Sequence, residues 1–176
     1  MSASAGCRPT PLTHIDFMTR PLFYTAAGLA ALLGSALLAP DAAAQACAGT
    51  FGAGKTRLVV TATEIRNAHG EMVFTLYPDD SGRFLAKHGK LLRVRTAAQS
   101  PATTACFWVT PGSYAVATYH DENGDHDFNR TLFTIKEGFG FSNDAPTTLG
   151  LPSLSRVRFP VPAGGASIRV RTRYSR

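Results

Sequence analysis

Apolar and polar residues alternate in short runs over most of the chain beyond residue 56, and clusters of Gly, Pro, Asn and Asp separate the runs. A period of two is the pattern of a β-strand, because successive side chains point to opposite faces of a sheet. It predicts strands at residues 57–65, 72–77, 90–96, 103–109, 113–120, 155–160 and 166–174, with a short one at 131–135. No stretch of this region has the period of an amphipathic helix. Short strands with turns between them predict an all-β fold, an antiparallel β-sandwich of about seven to eight strands.

Three segments add detail to this scheme. Residues 72–77 carry bulk on both faces, which predicts a central strand. Tyr114 follows a Pro-Gly turn, where β-sandwiches often place a tyrosine whose hydroxyl bonds the nearby backbone; an ordinary half-buried tyrosine is the alternative. Residues 137–150 are rich in Gly, Asn and Pro, which predicts a long loop.

The densest polar segment of the chain follows the fifth predicted strand. Residues 111–129 read PGSYAVATYHDENGDHDFN, and we call residues 121–129 the acidic loop. Oxygen-bearing side chains recur there at every second position, at Asp121, Asn123, Asp125, Asp127 and Asn129. This spacing lets one loop point several oxygens at a single hard cation, and calcium accepts about six to eight oxygens in irregular geometry. The loop therefore predicts a calcium site, with Glu122 or Glu137 as carboxylates that complete the shell from elsewhere.

The same residues allow two other interpretations. The loop is not an EF-hand, because His126 and Leu132 stand where that motif needs Gly and Glu. Asp, Asn and Gly are also common turn formers, so a solvated or arginine-neutralised turn is one alternative. The other is a transition-metal site for zinc, copper or nickel, in which His120 and His126 act with Asp121 or Asp127.

The N-terminal region has the pattern of a secretory signal peptide. Arg20 precedes an apolar run at residues 21–39, and the small residues Ala44 and Ala46 precede Cys47. A basic start, an apolar middle and small residues at this spacing predict cleavage before Cys47. Residues 1–46 are therefore predicted to be an N-terminal extension and cleavable signal peptide, and residues 47–176 a single β-sandwich domain. The predicted location is the periplasm or the medium, and the start codon is either Met1 or Met18.

Cys47 and Cys106 are the two cysteines beyond the predicted cleavage site. In an oxidising compartment two cysteines predict one disulfide bond. Lipid modification of Cys47 is the alternative, but Ala44 stands where lipoprotein signals usually carry Leu.

The chain is basic, with 18 Lys and Arg against 12 Asp and Glu and a net charge of +6 at pH 7. Arginines recur at alternate positions in three places, at Arg93 and Arg95, at Arg156 and Arg158, and at Arg169, Arg171 and Arg173. This spacing predicts a basic strand face that suits an anionic envelope polymer or another envelope protein. A solvated face that protects an edge strand is the alternative. The absence of aromatic residues among these arginines argues against nucleic acid as a partner.

Motifs of known enzymes are missing from the sequence. It contains no Gly-x-Ser-x-Gly, His-Glu-x-x-His or phosphate-binding glycine loop. His120, Asp121 and Glu122 form the one dense cluster of catalytic residue types. The sequence therefore predicts a binding or structural module rather than an enzyme, with a metal-dependent envelope enzyme that uses the His120 and Asp121 region as the alternative.

The stretch PGSYAVATYHDENGDHDFN followed by EGFGFSN resembles a bacterial exported family known as domain of unknown function 2141. The resemblance spans residues 57–174, and it implies a small β-sandwich behind a signal peptide, similar to immunoglobulin-like and transthyretin-like modules. The chain departs from the family pattern at Phe133 and Ile135, where Gly and Pro are usual, and at Leu151, Ser155 and Arg156. The family has no assigned activity, so the resemblance implies fold and export but no substrate.

Overall fold

The structure is a computed structural model, and it describes residues 46–128, 137–147 and 150–174. These residues form eight strands, which in chain order are β1 (Thr56–Thr63), β2 (Glu71–Pro78), β3 (Leu92–Ala97), β4 (Ala102–Val109), β5 (Gly112–Asp121), β6 (Gly138–Phe141), β7 (Phe159–Val161) and β8 (Ala166–Arg171). A 3₁₀ helix (Ser142–Asp144) and a one-turn α-helix, α1 (Leu154–Val157), lie between β6 and β7.

The strands form two sheets. The three-stranded sheet has the order β4-β1-β8, and the five-stranded sheet has the order β3-β2-β5-β6, with β7 also paired to β5. The pairings between these strands are antiparallel except that of β1 with β8, which is parallel. The predicted all-β sandwich is therefore confirmed, with one parallel pair that the sequence pattern did not predict. Its assignment as immunoglobulin-like or transthyretin-like stays a prediction.

The main core lies between the two sheets. Alternate residues of β1 and β2 are fully buried there, including Leu58, Val60 and Phe74, and they pack in one cluster with Phe107 and Val116. Burial of each such side chain contributes about 1.5–3 kcal/mol, which makes this layer the main stabilising element of the fold. The alternation that predicted the strands is thus the alternation of core-facing and outward-facing positions.

A second apolar layer covers the other face of the five-stranded sheet, which we call the outer face. Tyr77 of β2 and Ala115 of β5 are buried there with Phe141, Ala145 and Val157. Residues 72–77 are buried on both faces because β2 lies between β3 and β5 and is covered by an apolar layer on each side. The predicted central position of this strand is confirmed.

The predicted loop at residues 137–150 is wrong in its first part, which forms β6 and the 3₁₀ helix. Its glycines serve close packing: a Cβ on Gly140 would lie 2.3 Å from the carbonyl oxygen of Arg171, and one on Gly138 would lie 2.3 Å from the ring of Tyr174. Glycine therefore allows β6 to run beside the C-terminal segment, where Phe139 and Arg173 exchange two backbone hydrogen bonds. The predicted strand at residues 131–135 lies outside the described residues.

The predicted strand at residues 155–160 is wrong in its first half. Leu154–Val157 is a single helical turn, closed by a bond of 2.9 Å from the Arg158 N–H to the Leu154 carbonyl. Leu154 and Val157 are three residues apart, so one turn brings both toward the outer apolar layer. Only Phe159–Val161 then forms a strand, beside β5.

The N-terminal segment of the described chain is fixed to β4. Cys47 and Cys106 form a disulfide bond, which confirms the predicted pair. The Ala48 N–H donates to the Cys106 carbonyl at 2.9 Å, and the Ala48 carbonyl accepts from the Trp108 N–H at 2.8 Å. The residues beside the predicted cleavage site therefore extend the edge of the three-stranded sheet.

Tyr114 fixes the turn that leads into β5. Its hydroxyl donates to the Thr110 carbonyl at 2.7 Å, and the residue is buried. The predicted corner tyrosine is confirmed, and it anchors the start of the strand that carries the acidic loop.

Residues 1–45, which hold almost all of the predicted signal peptide, lie outside the described residues. In the part of the chain that the structure does describe, no helix has the length and apolar character to cross a membrane.

Candidate functional site

Asp121, the last residue of β5, organises the acidic loop. It is fully buried, its Oδ1 accepts from the Gly124 N–H at 2.8 Å and its Oδ2 accepts from the His126 N–H at 2.9 Å. Gly124 and His126 both have positive φ, at 70° and 67°, so the backbone turns sharply around this carboxylate. The loop conformation therefore depends on the charge and position of one side chain.

Arg95 of β3 lies against the same carboxylate. Its Nη1 is 3.3 Å from Asp121 Oδ2, and its Nη2 donates to the Tyr119 hydroxyl at 3.1 Å and to the His126 carbonyl at 2.7 Å. Burial of the guanidinium opposes its charge, but Tyr119, Glu71 and Asp121 outweigh burial, so the pKa of Arg95 is raised. The arginine-neutralised turn that the sequence allows is thus present at Asp121.

The other acidic residues of the loop form local turns. Asp125 Oδ1 accepts from the Asp127 N–H at 2.9 Å, and its Oδ2 accepts from the Asn123 side-chain amide at 2.7 Å. Asn123, Asp125 and Asp127 are all exposed. Asn129 lies outside the described residues, so the described part of the loop supplies four of the five predicted oxygen ligands.

Glu137 comes from a separate segment and meets the loop. The strand register pairs His120 with Gly138, which sets the next residues, Asp121 and Glu137, opposite each other at the strand ends. Ligand oxygens of Asp121, Asp125 and Glu137 all lie within 4.8 Å of one another, and Asp121 and Glu137 are buried. The structure therefore brings together two of the predicted loop ligands and the predicted distant carboxylate, whereas Asp127 belongs to no such group within the described residues.

A second group of ligand atoms shares Asp121. Glu71 of β2 is in register with Asp121, and its Oε2 lies 3.4 Å from His126 Nδ1. Glu71, Asp121 and His126 have ligand atoms within 4.8 Å of one another. This set of oxygen and nitrogen donors is the kind that zinc accepts.

His120 lies on the opposite face of the strand from Asp121, because adjacent residues of a strand point in opposite directions. It is fully buried, its Nε2 is 2.7 Å from the His69 carbonyl and its Nδ1 is 2.7 Å from the Tyr174 hydroxyl. A carbonyl only accepts, so Nε2 donates to the His69 carbonyl, and Nδ1 shares a hydrogen bond with the Tyr174 hydroxyl. Both ring nitrogens therefore take part in hydrogen bonds within the fold, and the structure does not bring His120 and His126 into one metal site.

Glu122 turns away from the acidic loop. Its carboxylate accepts from the Arg66 Nε at 2.6 Å and from the Asn67 side-chain amide at 3.0 Å, and the Arg66 Nη2 also contacts it. Hydrogen bonds from Arg66 hold the pKa of Glu122 below its usual range. Glu122 therefore does not complete a cation shell with the loop carboxylates, and Glu137 is the predicted distant ligand that does reach them.

An aromatic cavity of about 270 Å³ lies on the outer face. Five rings line it, from Tyr77, Tyr119, Phe128, Phe139 and Phe141. The sequence did not predict it, because its residues lie far apart in the chain and only the sheet register brings them together. The alternation of Phe139 and Phe141 is the one local signal, and the glycines between them favoured a loop assignment.

The arginine pairs do not share one surface. Arg93 and Arg95 lie on β3 of the five-stranded sheet, whereas Arg169 and Arg171 are exposed on β8 of the three-stranded sheet. Arg158 pairs with Asp79 near α1. The predicted basic strand face is thus divided among three places, and a partner for it stays a prediction.

Comparison with known proteins identifies one family. The family described as "uncharacterized protein conserved in bacteria (DUF2141)" matches residues 60–169. No curated protein and no solved structure matches the chain. The matched range runs from β1 into β8 and includes the acidic loop, Glu137 and the aromatic cavity. The chain therefore belongs to the DUF2141 family of bacterial proteins.

Proposed function

We propose that this protein is an exported binding module whose acidic loop holds a calcium ion through Asp121, Asp125 and Glu137. The observation that carries the proposal is the convergence of three carboxylates from two separate segments, with ligand oxygens within 4.8 Å of one another. Calcium binds oxygens at about 2.3–2.6 Å, so two oxygens on one ion lie at most about 5 Å apart. The three carboxylates fit this limit.

The chemistry of the cluster favours a weakly held hard cation. Asp121 Oδ2 accepts from the His126 N–H and contacts Arg95, whereas among the described residues Oδ1 accepts only from the Gly124 N–H and keeps a second lone pair for an ion. Asp125 is exposed, and an ion there would share its oxygens with the Asp127 N–H and the Asn123 side-chain amide. Calcium accepts such an irregular, partly hydrated shell, whereas magnesium requires near-octahedral geometry.

Arg95 sets the expected strength of binding. Its guanidinium lies 3.3 Å from Asp121 Oδ2 and compensates part of the negative charge that attracts the ion. Calcium sites in extracellular modules have dissociation constants of about 10⁻⁴–10⁻³ M, and we expect this site to lie in that range. Such an affinity suits an exported protein, because calcium is much scarcer in the cytosol than outside the cell.

Titration calorimetry on chelator-treated protein tests the calcium site. Wild-type protein should bind one calcium ion, and Asp125→Asn and Glu137→Gln should each abolish the binding. Asp127→Asn is the matched control, because it removes the same charge from the same loop at a residue outside the cluster, and it should change affinity less than about threefold. The proposal would be refuted if Asp127→Asn and Glu137→Gln lowered calcium affinity equally, or if the wild type bound no calcium.

The group formed by Glu71, Asp121 and His126 calls for the same titration with zinc. Zinc binding that is lost in His126→Gln and kept in Glu137→Gln would favour the site formed by Glu71, Asp121 and His126. That outcome would support the alternative function, a metal-dependent envelope enzyme, in place of the calcium module.

Export is part of the proposal, and the disulfide bond supports it. Disulfide bonds form and persist in oxidising compartments and are rare in the cytosol. Protein recovered from the periplasm or medium should begin at Cys47 when sequenced from its N-terminus. Recovered protein that still carries residues 29–38 would contradict cleavage, and a lipid mass on Cys47 would support the lipoprotein alternative.

A further inference from the structure

The aromatic cavity on the outer face has the form of a small-molecule site. Its volume, about 270 Å³, is close to the lower end of the range for ligand pockets, about 300–1,000 Å³. Its floor is the sheet itself, at Thr75 of β2 and Ala117 of β5, and its walls are aromatic side chains. A site of this size suits a ligand with one ring rather than a polymer or a peptide.

The aromatic walls contact one another through one tilted ring pair and two edge-to-face pairs. Ring centroids lie 5.2 Å apart for Tyr119 and Phe128, 6.2 Å for Phe128 and Phe139, and 6.2 Å for Phe139 and Phe141. Phe141 is buried, and Phe139 is half-buried, so the row runs from the apolar layer to the cavity surface. Rings at this spacing favour a flat aromatic guest, which can make the same edge and offset contacts.

Arg93 brings a positive charge to this apolar site. Its Nε donates to the Oγ1 of the buried Thr75 at 3.0 Å, and its side chain also hydrogen-bonds Tyr77. These two contacts fix the guanidinium beside the cavity, and the remaining N–H groups of its terminal nitrogens are donors for a ligand. In the described parts of the chain Arg93 forms no ion pair, whereas Arg95, two residues further on the same strand, pairs with Asp121.

The tyrosines at the cavity do not supply a compensating negative charge. Burial raises the pKa of Tyr77 above its ordinary value of 10.0, and Arg93 offsets this only in part. Burial likewise raises the pKa of Tyr119, against the opposing effect of Arg95 and Arg93. Both hydroxyls therefore stay neutral near pH 7, and the charge of Arg93 is left for a ligand.

We propose that the aromatic cavity binds a small aromatic carboxylate, with its ring among Phe128, Phe139 and Phe141 and its carboxylate on the terminal nitrogens of Arg93. Guanidinium and carboxylate form paired, charge-assisted hydrogen bonds, which are stronger than neutral ones. A neutral aromatic leaves the cation unpaired, and a small anion without a ring leaves the apolar walls uncovered. The site is separate from the calcium cluster, and its occupation does not depend on calcium.

Benzoate is the probe that tests this proposal, with benzamide and acetate as matched controls. Benzamide keeps the ring and loses the charge, and acetate keeps the charge and loses the ring. Two-dimensional amide NMR titrations on purified protein in the presence of chelator should show benzoate shifting the amides of Ala117, Tyr119 and Phe139. We expect benzoate to bind at least about tenfold more tightly than either control, as the loss of a charged hydrogen bond predicts.

Variants separate a specific site from general attraction to a basic protein. Arg93→Gln should weaken benzoate binding at least about tenfold and leave the affinity for benzamide unchanged. Arg169→Gln is the matched control, since it removes an exposed arginine from β8 on the other sheet, and it should leave benzoate binding unchanged. Phe139→Leu should weaken both ring-bearing probes.

Three outcomes would overturn the proposal. Benzoate could shift no amide signal at the cavity, or it could bind with the same affinity as benzamide. In the third outcome, Arg93→Gln and Arg169→Gln would lower benzoate affinity equally. Repeating the titration with calcium distinguishes the two sites. Benzoate binding without calcium binding would refute the calcium module alone, and the reverse result would refute the aromatic site alone.

Discussion

At the scale of single residues, Asp121 both organises the acidic loop and limits what the loop can bind. Its oxygens hold two backbone N–H groups and lie against Arg95, so a cation competes with contacts that already exist. The sequence could indicate Asp121 and Glu137 as candidate ligands, because carboxylates near a strand end are visible in the chain. It could not predict Arg95, which lies across β2 from Tyr119 and becomes a neighbour only through the strand register.

Glu122 gives a prediction at the same scale, because its partner is Arg66 rather than a cation. Arg66 holds the pKa of Glu122 below its ordinary value of 4.5. A carboxylate with a lowered folded-state pKa stabilises the fold above its unfolded-state pKa, and this contribution is lost as the pH falls through the lowered value. Wild type should therefore be more stable than Glu122→Gln at pH 7, and the difference should shrink as the pH falls below about 4.5.

Urea unfolding of both proteins between pH 7 and pH 3 measures this difference. Arg66→Gln is the control: in that background, Glu122→Gln should have a smaller effect at pH 7, because the partner is gone. If the difference in unfolding free energy between wild type and Glu122→Gln does not vary with pH, the ion pair of Arg66 and Glu122 is not the cause of the stability difference.

At the scale of elements, β6 joins the candidate sites. Its first residue follows Glu137, and its side chains Phe139 and Phe141 form part of the aromatic cavity. The long strands were predictable because apolar side chains alternate over six or more residues. β6 was not predictable, because its four residues include two glycines, and glycine normally weakens a strand. The close approach of the C-terminal segment explains the glycines, and that contact is long-range.

Gly140→Ala tests this account of β6. The added Cβ would lie 2.3 Å from the Arg171 carbonyl oxygen, so β6 or the C-terminal segment must shift. Overpacking of this kind costs about 1–3 kcal/mol of unfolding free energy. Gly164→Ala is the matched control, because a Cβ there meets nothing within 4 Å, and it should change stability by less than about 0.5 kcal/mol.

Denaturant unfolding of the two alanine variants gives the comparison directly. A Gly140→Ala protein as stable as the Gly164→Ala protein would mean that β6 does not depend on close packing against the C-terminal segment. If Gly140→Ala lowers the unfolding free energy more than Gly164→Ala does, Gly140→Ala should also weaken calcium binding, because β6 positions Glu137.

At the scale of the whole molecule, the five-stranded sheet carries apolar layers on both faces and the candidate sites on one. The main core packs against its inner face, and the aromatic cavity and the Asp121 carboxylate lie on its outer side. Alternation along the chain predicted the two-sheet architecture, because strands can be recognised from local periodicity alone. The cavity requires the register of four strands and the path of the loops between them, and no local pattern contains that information.

A crystal structure of the protein grown with calcium would show whether Asp121, Asp125 and Glu137 share one calcium ion. We expect one ion about 2.3–2.6 Å from a carboxylate oxygen of each of the three residues, with water completing the shell. An ion held by Asp127 away from Glu137, or a calcium-free cluster in crystals grown at calcium concentrations well above about 10⁻³ M, would contradict it.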